Sequence, residues 1–255
     1  MISVGEKMKI KQQQKNYFKF LQNKKKEELF KKQQEIIRQQ ELAALIPEPY
    51  NSREGQDQFI VNILNHKKNG YFLEIGSYDA VDGNNTYVLE KIYNWKGLMV
   101  EYDKNCEESY KKYRNSDYII EDATKIDYNK ILTDLNFPKN IDYLQIDLDV
   151  DNKSTLQTLE LLNDTIFDNY KFSVITFEHD IYRGDYFNTK NKSREIFKNR
   201  GYYLIFNDVQ TTDGRKFEDW YINPSHLDMN FVNNISTDVS LRWYEIIEKL
   251  RKTNK

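Results

Sequence analysis

The sequence predicts an α/β protein built on a doubly wound, mostly parallel seven-stranded sheet with an antiparallel last strand, preceded by an N-terminal helical extension. Three observations carry this expectation. Short apolar runs alternate with segments of helical period, the last two runs lie too close together for a helix between them, and a Lys-, Gln- and Glu-rich start gives way to two prolines. Strands separated by single helices imply parallel, right-handed crossovers, and ligands of such sheets bind beyond the carboxyl ends of the strands.

The elements follow in order. From about Lys7 to Ala44 the chain has neither proline nor glycine, a composition that favours helix. Phe18, Leu21, Leu29, Ile36 and Ala43 form a loose apolar stripe with gaps at Lys25 and Lys32, which reads as a solvated helix with one adhesive face able to pair two copies into a homodimer. Pro47 and Pro49 end it, so residues 1–49 form a basic helical extension and 50–255 the globular domain. Strand-like runs follow at 71–75, 97–101, 118–120, 143–146, 172–177, 202–206 and 217–222, with helical segments near 84–93, 104–114, 153–163 and 190–199 and a closing helix in LRWYEIIEKLRK. The runs YYLIF and FEDWYI pair most simply as an antiparallel hairpin.

Composition narrows the function. Charged residues make up 31% and apolar residues 39% of 255, which suits a protein with a sizeable core. The net charge of −2 conceals an asymmetry: residues 1–46 carry eleven Lys or Arg against five Glu, which leaves the remainder acidic. An acidic body disfavours grip on a long nucleic-acid backbone and suits a small-molecule or glycan acceptor. The lone Cys106 excludes an intramolecular disulfide framework and a thiolate zinc cluster. No run approaches the roughly 20 apolar residues of a membrane span, and MISVGEKMKIKQQQ lacks the apolar centre of a secretory signal, so the expected location is cytoplasmic.

The strands expected to point into the cleft each end on acid. The first gives Glu74, then Gly76, Ser77 and Asp79, with a glycine that lets the backbone approach a ligand; a full GxGxxG pattern is absent, which counts against a dinucleotide. The second ends at Glu101, 25 residues beyond Gly76, where ribose-binding carboxylates of such folds fall. The third ends in Glu121, Asp122 and Ala123, and a carboxylate there can accept a bond from an adenine amine. The fourth exits through Asp147, Asp149 and Asp151, and the fifth ends in Glu178, His179 and Asp180. Carboxylates beside a histidine suit general acid or base catalysis, or a divalent cation. A single strand-end acid is more often a helix cap; three in register point to a nucleoside.

The stretch SREGQDQFIVNILNHKKNGYFLEIGSYDAVDGNNTYVLEKIYNWKGLMVEYDKN resembles the FkbM family of methyltransferases in its GQD lead, EIG strand, NT helix and WKG before an acidic strand end. IDYLQIDLD, VITFEHD, REIFKNRGY and DWYI extend the likeness over roughly 52–223. The resemblance implies a Rossmann-like class I fold and S-adenosyl-L-methionine as cofactor, with methyl transfer to a hydroxyl, often of a sugar. It would place Glu74 and Gly76 at the methionine end, Glu101 at the ribose and Asp122 at the adenine, with Gln56 and Asp57 closing the site. Ser77, Asp79, Tyr102, Ala123 and Asp147 would complete the cofactor wall. Catalysis would fall to Asp147, Glu178 and His179. Ala80, Tyr102 and the LDVD turn depart from the family pattern, and they motivate a second reading in which the fold serves as an interaction module. RNA methylation is a third, disfavoured by the acidic body. The IDLD strand end followed by STLQTLELL also resembles metal-using macrocin-type O-methyltransferases, which keeps magnesium open although no metal ligand is assigned.

Overall fold

The computed structural model describes residues 16–34 and 50–253. Residues 16–34 form one helix, α1, whose Phe18, Leu21 and Leu29 are exposed together with Tyr17, Phe20 and Phe30. Ile36, Ala43, Pro47 and Pro49, on which the rest of the stripe and its end depend, lie outside the described residues. No described helix is long and apolar enough to cross a membrane.

The second unit is built on seven strands: β1 (Tyr71–Ile75), β2 (Lys96–Glu101), β3 (Asp117–Ile120), β4 (Asn140–Ile146), β5 (Lys171–Glu178), β6 (Tyr203–Gln210) and β7 (Lys216–Ile222). They stand in the order β3-β2-β1-β4-β5-β7-β6. The pairs among β1 to β5 are parallel, whereas β7 runs antiparallel to both β5 and β6. Doubly wound topology and the antiparallel last hairpin are therefore as the sequence predicts.

The helices are α2 (Gln56–Ile63), α3 (Tyr87–Lys91), α4 (Glu107–Tyr113), α5 (Tyr128–Asp134), α6 (Ser154–Thr165), α7 (Phe187–Asn199), α8 (Met229–Ile235) and α9 (Trp243–Thr253). Side chains alternate across each strand, and this divides the core in two. Phe72, Tyr143, Val174 and Trp220 pack against Phe59 of α2, Val232 of α8 and Ile246 of α9. Leu73, Leu144, Ile175 and Tyr221 face the other way, onto Leu132 of α5, Leu159 of α6 and Phe197 of α7. On the α2 side, Phe59 stacks on Trp220 with ring centroids 4.2 Å apart.

The alternation positions the site. Gly76, Asp147, Glu178 and Glu218 succeed one another at the carboxyl edge: β1 and β4 keep register to the Ile75–Ile146 pair, β4 and β5 to Ile146–Phe177, and Glu178 stands opposite Glu218. Glu74, Gln145, Thr176 and Trp220 form the row beneath.

Candidate functional site

A cleft of about 670 Å³ opens over the ends of β1 to β4. Of the residues expected at the cofactor, Gly76, Glu101, Tyr102, Asp122, Ala123 and Asp147 line it. Its remaining wall includes Tyr78, Leu148 and Asn152, with Ser154 and Gln157 from the first turns of α6, none of which the sequence assigns to the cofactor. A second cavity, of about 790 Å³, lies at the opposite end of the sheet, where Lys67 meets Asp142 at 2.6 Å. Doubly wound sheets bind ligands at their carboxyl ends, so the first cleft is the candidate site.

Its floor depends on Gly76. The residue has φ of 85°, and a Cβ there would stand 1.7 Å from the Asp147 carbonyl oxygen. Only glycine lets the ends of β1 and β4 close to this distance. The amides of Gly76 and Ser77 both donate to the Val100 carbonyl, at 2.9 and 3.2 Å. Ser77 and Asp79 shape the following loop rather than face the cleft: Ser77 Oγ meets the Tyr110 hydroxyl at 2.8 Å, and Asp79 accepts from the amides of Val81 and Asp82, each at 2.8 Å.

Glu101 is the most firmly oriented acid of the cleft. One carboxylate oxygen accepts from the Tyr78 amide at 2.7 Å, and the other from the amides of Tyr102 and Asp103 at 2.8 and 2.9 Å. Three of its roughly four acceptor positions are thus filled by backbone, which leaves capacity for one ligand hydroxyl. Asp122 caps a short 3₁₀ turn at Ala123–Lys125, accepting from the amide and hydroxyl of Thr124. Lys125 at 2.8 Å and the Thr124 bonds hold its carboxyl down to about 2. The Tyr102 ring is 75% exposed at the cleft edge.

Glu74 lies one row below and does not reach the cleft. It accepts from Thr86 Oγ1 at 2.7 Å and Asn84 Nδ2 at 3.2 Å, and burial pushes its carboxyl up to about 7 against the pull of Arg114. Arg114, missed in the sequence, ties this region together. Its buried guanidinium donates to Glu90, Asn84 and Thr86 and to the Ala80 carbonyl, at 2.8–3.2 Å. Burial works against ionisation of Glu90, yet the Arg114 charge and further hydrogen bonds bring its carboxyl to about 2.

Asp147 and Glu178 are hydrogen-bonded to each other, and burial followed by their mutual interaction raises Glu178 well above the ordinary carboxylate range; burial also raises Asp147. Each carboxyl of such a pair disfavours ionisation of the other. Gln56 and Asp57 begin α2. Gln56 Nε2 donates to Glu218 at 3.3 Å, whereas Asp57 is spent on the chain itself, accepting from the amides of Asn51, Ser52 and Gln58 and from Ser52 Oγ at 2.6–3.0 Å.

His179 corrects the expectation that it faces the cleft. The residue after Glu178 in an extended chain points to the opposite face, and the ring is fully buried with Nε2 3.5 Å from both Asp208 and Asp219. Arg194 donates to both oxygens of Asp219 at 2.7 and 2.8 Å, and Lys190 lies 2.5 Å from Asp208. Burial disfavours the imidazolium, but the two aspartates outweigh it and raise the His179 pKa. Among the described residues, His179, Asp208 and Asp219 form the one group of three with ligand atoms within 4.8 Å of one another. The cations of Arg194 and Lys190 already occupy those carboxylates, so the donor set does not fit a divalent metal.

No family model matches the chain, and no curated protein does. Among solved structures, it is similar to a candidate O-methyltransferase from Klebsiella pneumoniae (12% identity over 69% of this chain and 83% of that one, TM-score 0.49). It is similar also to cofactor-bound Rv0187 from MTB (15%, 73% and 86%, 0.48) and to an O-methyltransferase from Bacillus cereus in complex with SAH (12%, 74% and 89%, 0.45).

Proposed function

We propose that this chain is an S-adenosylmethionine-dependent O-methyltransferase of the FkbM type, acting on a hydroxyl of a sugar, glycan or small metabolite. The observation that carries the reading is the Glu101 carboxylate, fixed by three backbone amides at the edge of a cleft whose floor only glycine can form. The donor set fits the cofactor: Glu101 retains an acceptor position for a ribose hydroxyl, Asp122 offers an oxygen beside the adenine position, and the Tyr102 ring is free to cover a flat base. When bound there, the cofactor supplies an electrophilic methyl group.

The chain's own residues then have two tasks. Asp147 and Glu178, raised in pKa by burial and by each other, are the carboxyl groups placed to take the proton of an acceptor hydroxyl. Gly76 and the loop braced by Arg114 fix where the two reactants meet, which is the larger contribution when the leaving group is already activated. His179 takes no part in proton transfer, because its ring lies on the other face of the sheet.

The test is calorimetric titration of the full chain with S-adenosylmethionine and S-adenosylhomocysteine, with and without magnesium. Binding should be weakened at least about tenfold in Glu101→Ala. Transfer of labelled methyl to a panel of sugars and metabolites should fall by about a hundredfold or more in Asp147→Asn, with S-adenosylhomocysteine affinity nearly unchanged. Absence of binding to either nucleoside in a folded chain would refute the reading.

A further inference from the structure

The carboxyl edge beyond the cofactor cleft holds an excess of acceptor atoms. Glu178 and Glu218 stand directly opposite one another in the β5–β7 ladder, and Asp147 follows in the same row. Like charges at facing positions of an antiparallel pair are destabilising, so a row chosen for stability alone would not contain them. Glu178 is also hydrogen-bonded to Asp180, whose carboxylate meets the half-exposed Arg183 at 3.1 Å.

The unfilled atoms share one chemistry. Oε1 of Gln56, Oε1 of Glu218 and Oδ1 of Asp180 have no hydrogen-bond partner, and these side chains are more than nine-tenths buried. All three atoms are oxygens. Gln56 Nε2 and Trp220 Nε1 both donate to the other oxygen of Glu218, and Thr176 is hydrogen-bonded to the same carboxyl. Buried acceptors without a protein donor are satisfied by water or by a ligand that brings the donors.

Resting on the methyltransferase reading above, we propose that the row Asp147, Glu178 and Glu218, with Gln56 and Asp180, is the acceptor subsite and selects an acceptor that carries a protonated amine beside its hydroxyls, as an amino sugar does. An ammonium group has three donors and no acceptor, and the hydroxyls of the same molecule supply the rest. A divalent metal is the poorer match: no three of these carboxylates bring ligand atoms within 4.8 Å of one another. The displaced charge has a signature. Burial holds Asp147 and Glu178 toward their protonated forms, and an ammonium arriving beside them favours ionisation and so releases protons.

The experiment titrates the full chain, saturated with S-adenosylhomocysteine, with glucosamine, and separately with glucose and with magnesium chloride, in two buffers of different ionisation heat. Glucosamine should bind at least about tenfold more tightly than glucose and release protons at pH 7, and Glu218→Gln and Glu178→Gln should each weaken it by about tenfold or more. Both substitutions are isosteric and remove a buried carboxyl from a crowded row, so unchanged or raised melting temperatures will confirm that the variants are folded. Equal affinity for glucose and glucosamine, or no glucosamine binding in a chain that binds the nucleoside, would overturn the proposal. Magnesium binding lost in the same variants would assign the row to a metal instead. Failure of the nucleoside to bind would refute the methyltransferase reading separately, and glucosamine titration of the unliganded chain would still decide the chemistry of the row.

Discussion

Replacing Gly76 by alanine tests the floor of the cleft most directly. The added methyl would start 1.7 Å from the Asp147 carbonyl oxygen, a backbone atom that cannot swing aside as a side chain could. The φ of 85° adds its own penalty, of about 1–2 kcal/mol for a residue with a Cβ. Overpacking typically costs about 1–3 kcal/mol more as β1 and β4 are forced apart, giving about 3 kcal/mol in all. For a body of this size each kcal/mol lowers the melting temperature by about 2–4 °C, so Gly76→Ala should melt about 6–12 °C below the parent in differential scanning calorimetry. Nucleoside affinity should fall with it, because Asp147 lines the same cleft. A melting temperature within about 2 °C of the parent, with affinity intact, would show that the two strand ends do not need this approach and would refute the account of the floor.

Three further outcomes are expected. Arg114→Leu strands the buried carboxylate of Glu90 and frees the Ala80–Thr86 loop, at a cost of about 3–5 kcal/mol that thermal melting will register together with weaker nucleoside binding. Glu74→Gln changes the pH dependence of stability: because the folded carboxyl is raised to about 7 from 4.5, the parent loses up to about 3 kcal/mol as pH climbs through that window, and melts at pH 5 and pH 8 should differ less in the variant. His179→Gln should destabilise by about 2 kcal/mol below pH 6, where the charged ring bridges Asp208 and Asp219, and less at higher pH as the parent itself loses that proton. Nucleoside affinity of this variant should match the parent; a large loss would return the histidine to the cleft.

Strands were the legible part of the fold, and the reason is physical. Runs such as YFLEI and FSVITF are continuous, apolar and bounded by polar turns, and they became β1 and β5. Helix α2 is not legible in the sequence because Gln56, Asp57, Gln58 and Asn62 are buried among its apolar residues, which erases the polar face that marks a helix. Seven-residue helices α5 and α8 are too short to show a period, and their aspartate caps, Asp127 and Asp228, are visible only once the turn is known. Strand β6 runs on to Gln210 through shifts of register after Leu204, past the end of its apolar run. In the site, Gly76, Glu101 and Asp147 could be found from their place at strand ends. Arg114 could not, since its partners lie 24 to 34 residues away in the chain. His179 and Glu178 are neighbours in sequence, and the two-residue period of a strand sends them to opposite faces; that rule is readable from sequence alone.

Asp147 belongs to two walls at once. It lines the cleft above β1 to β4 and is bonded to Glu178 in the acid row beyond it. An occupant on either side therefore alters the charge that the other meets. Such a shared residue makes the two binding events thermodynamically linked, and linkage is reciprocal: the factor by which the nucleoside changes acceptor affinity is the factor by which the acceptor changes nucleoside affinity. On the proposed reading, ionisation of Asp147 favours the positively charged donor over its neutral product. The same carboxylate would then discriminate between a loaded and a spent cofactor, and help to set the order in which molecules enter and leave.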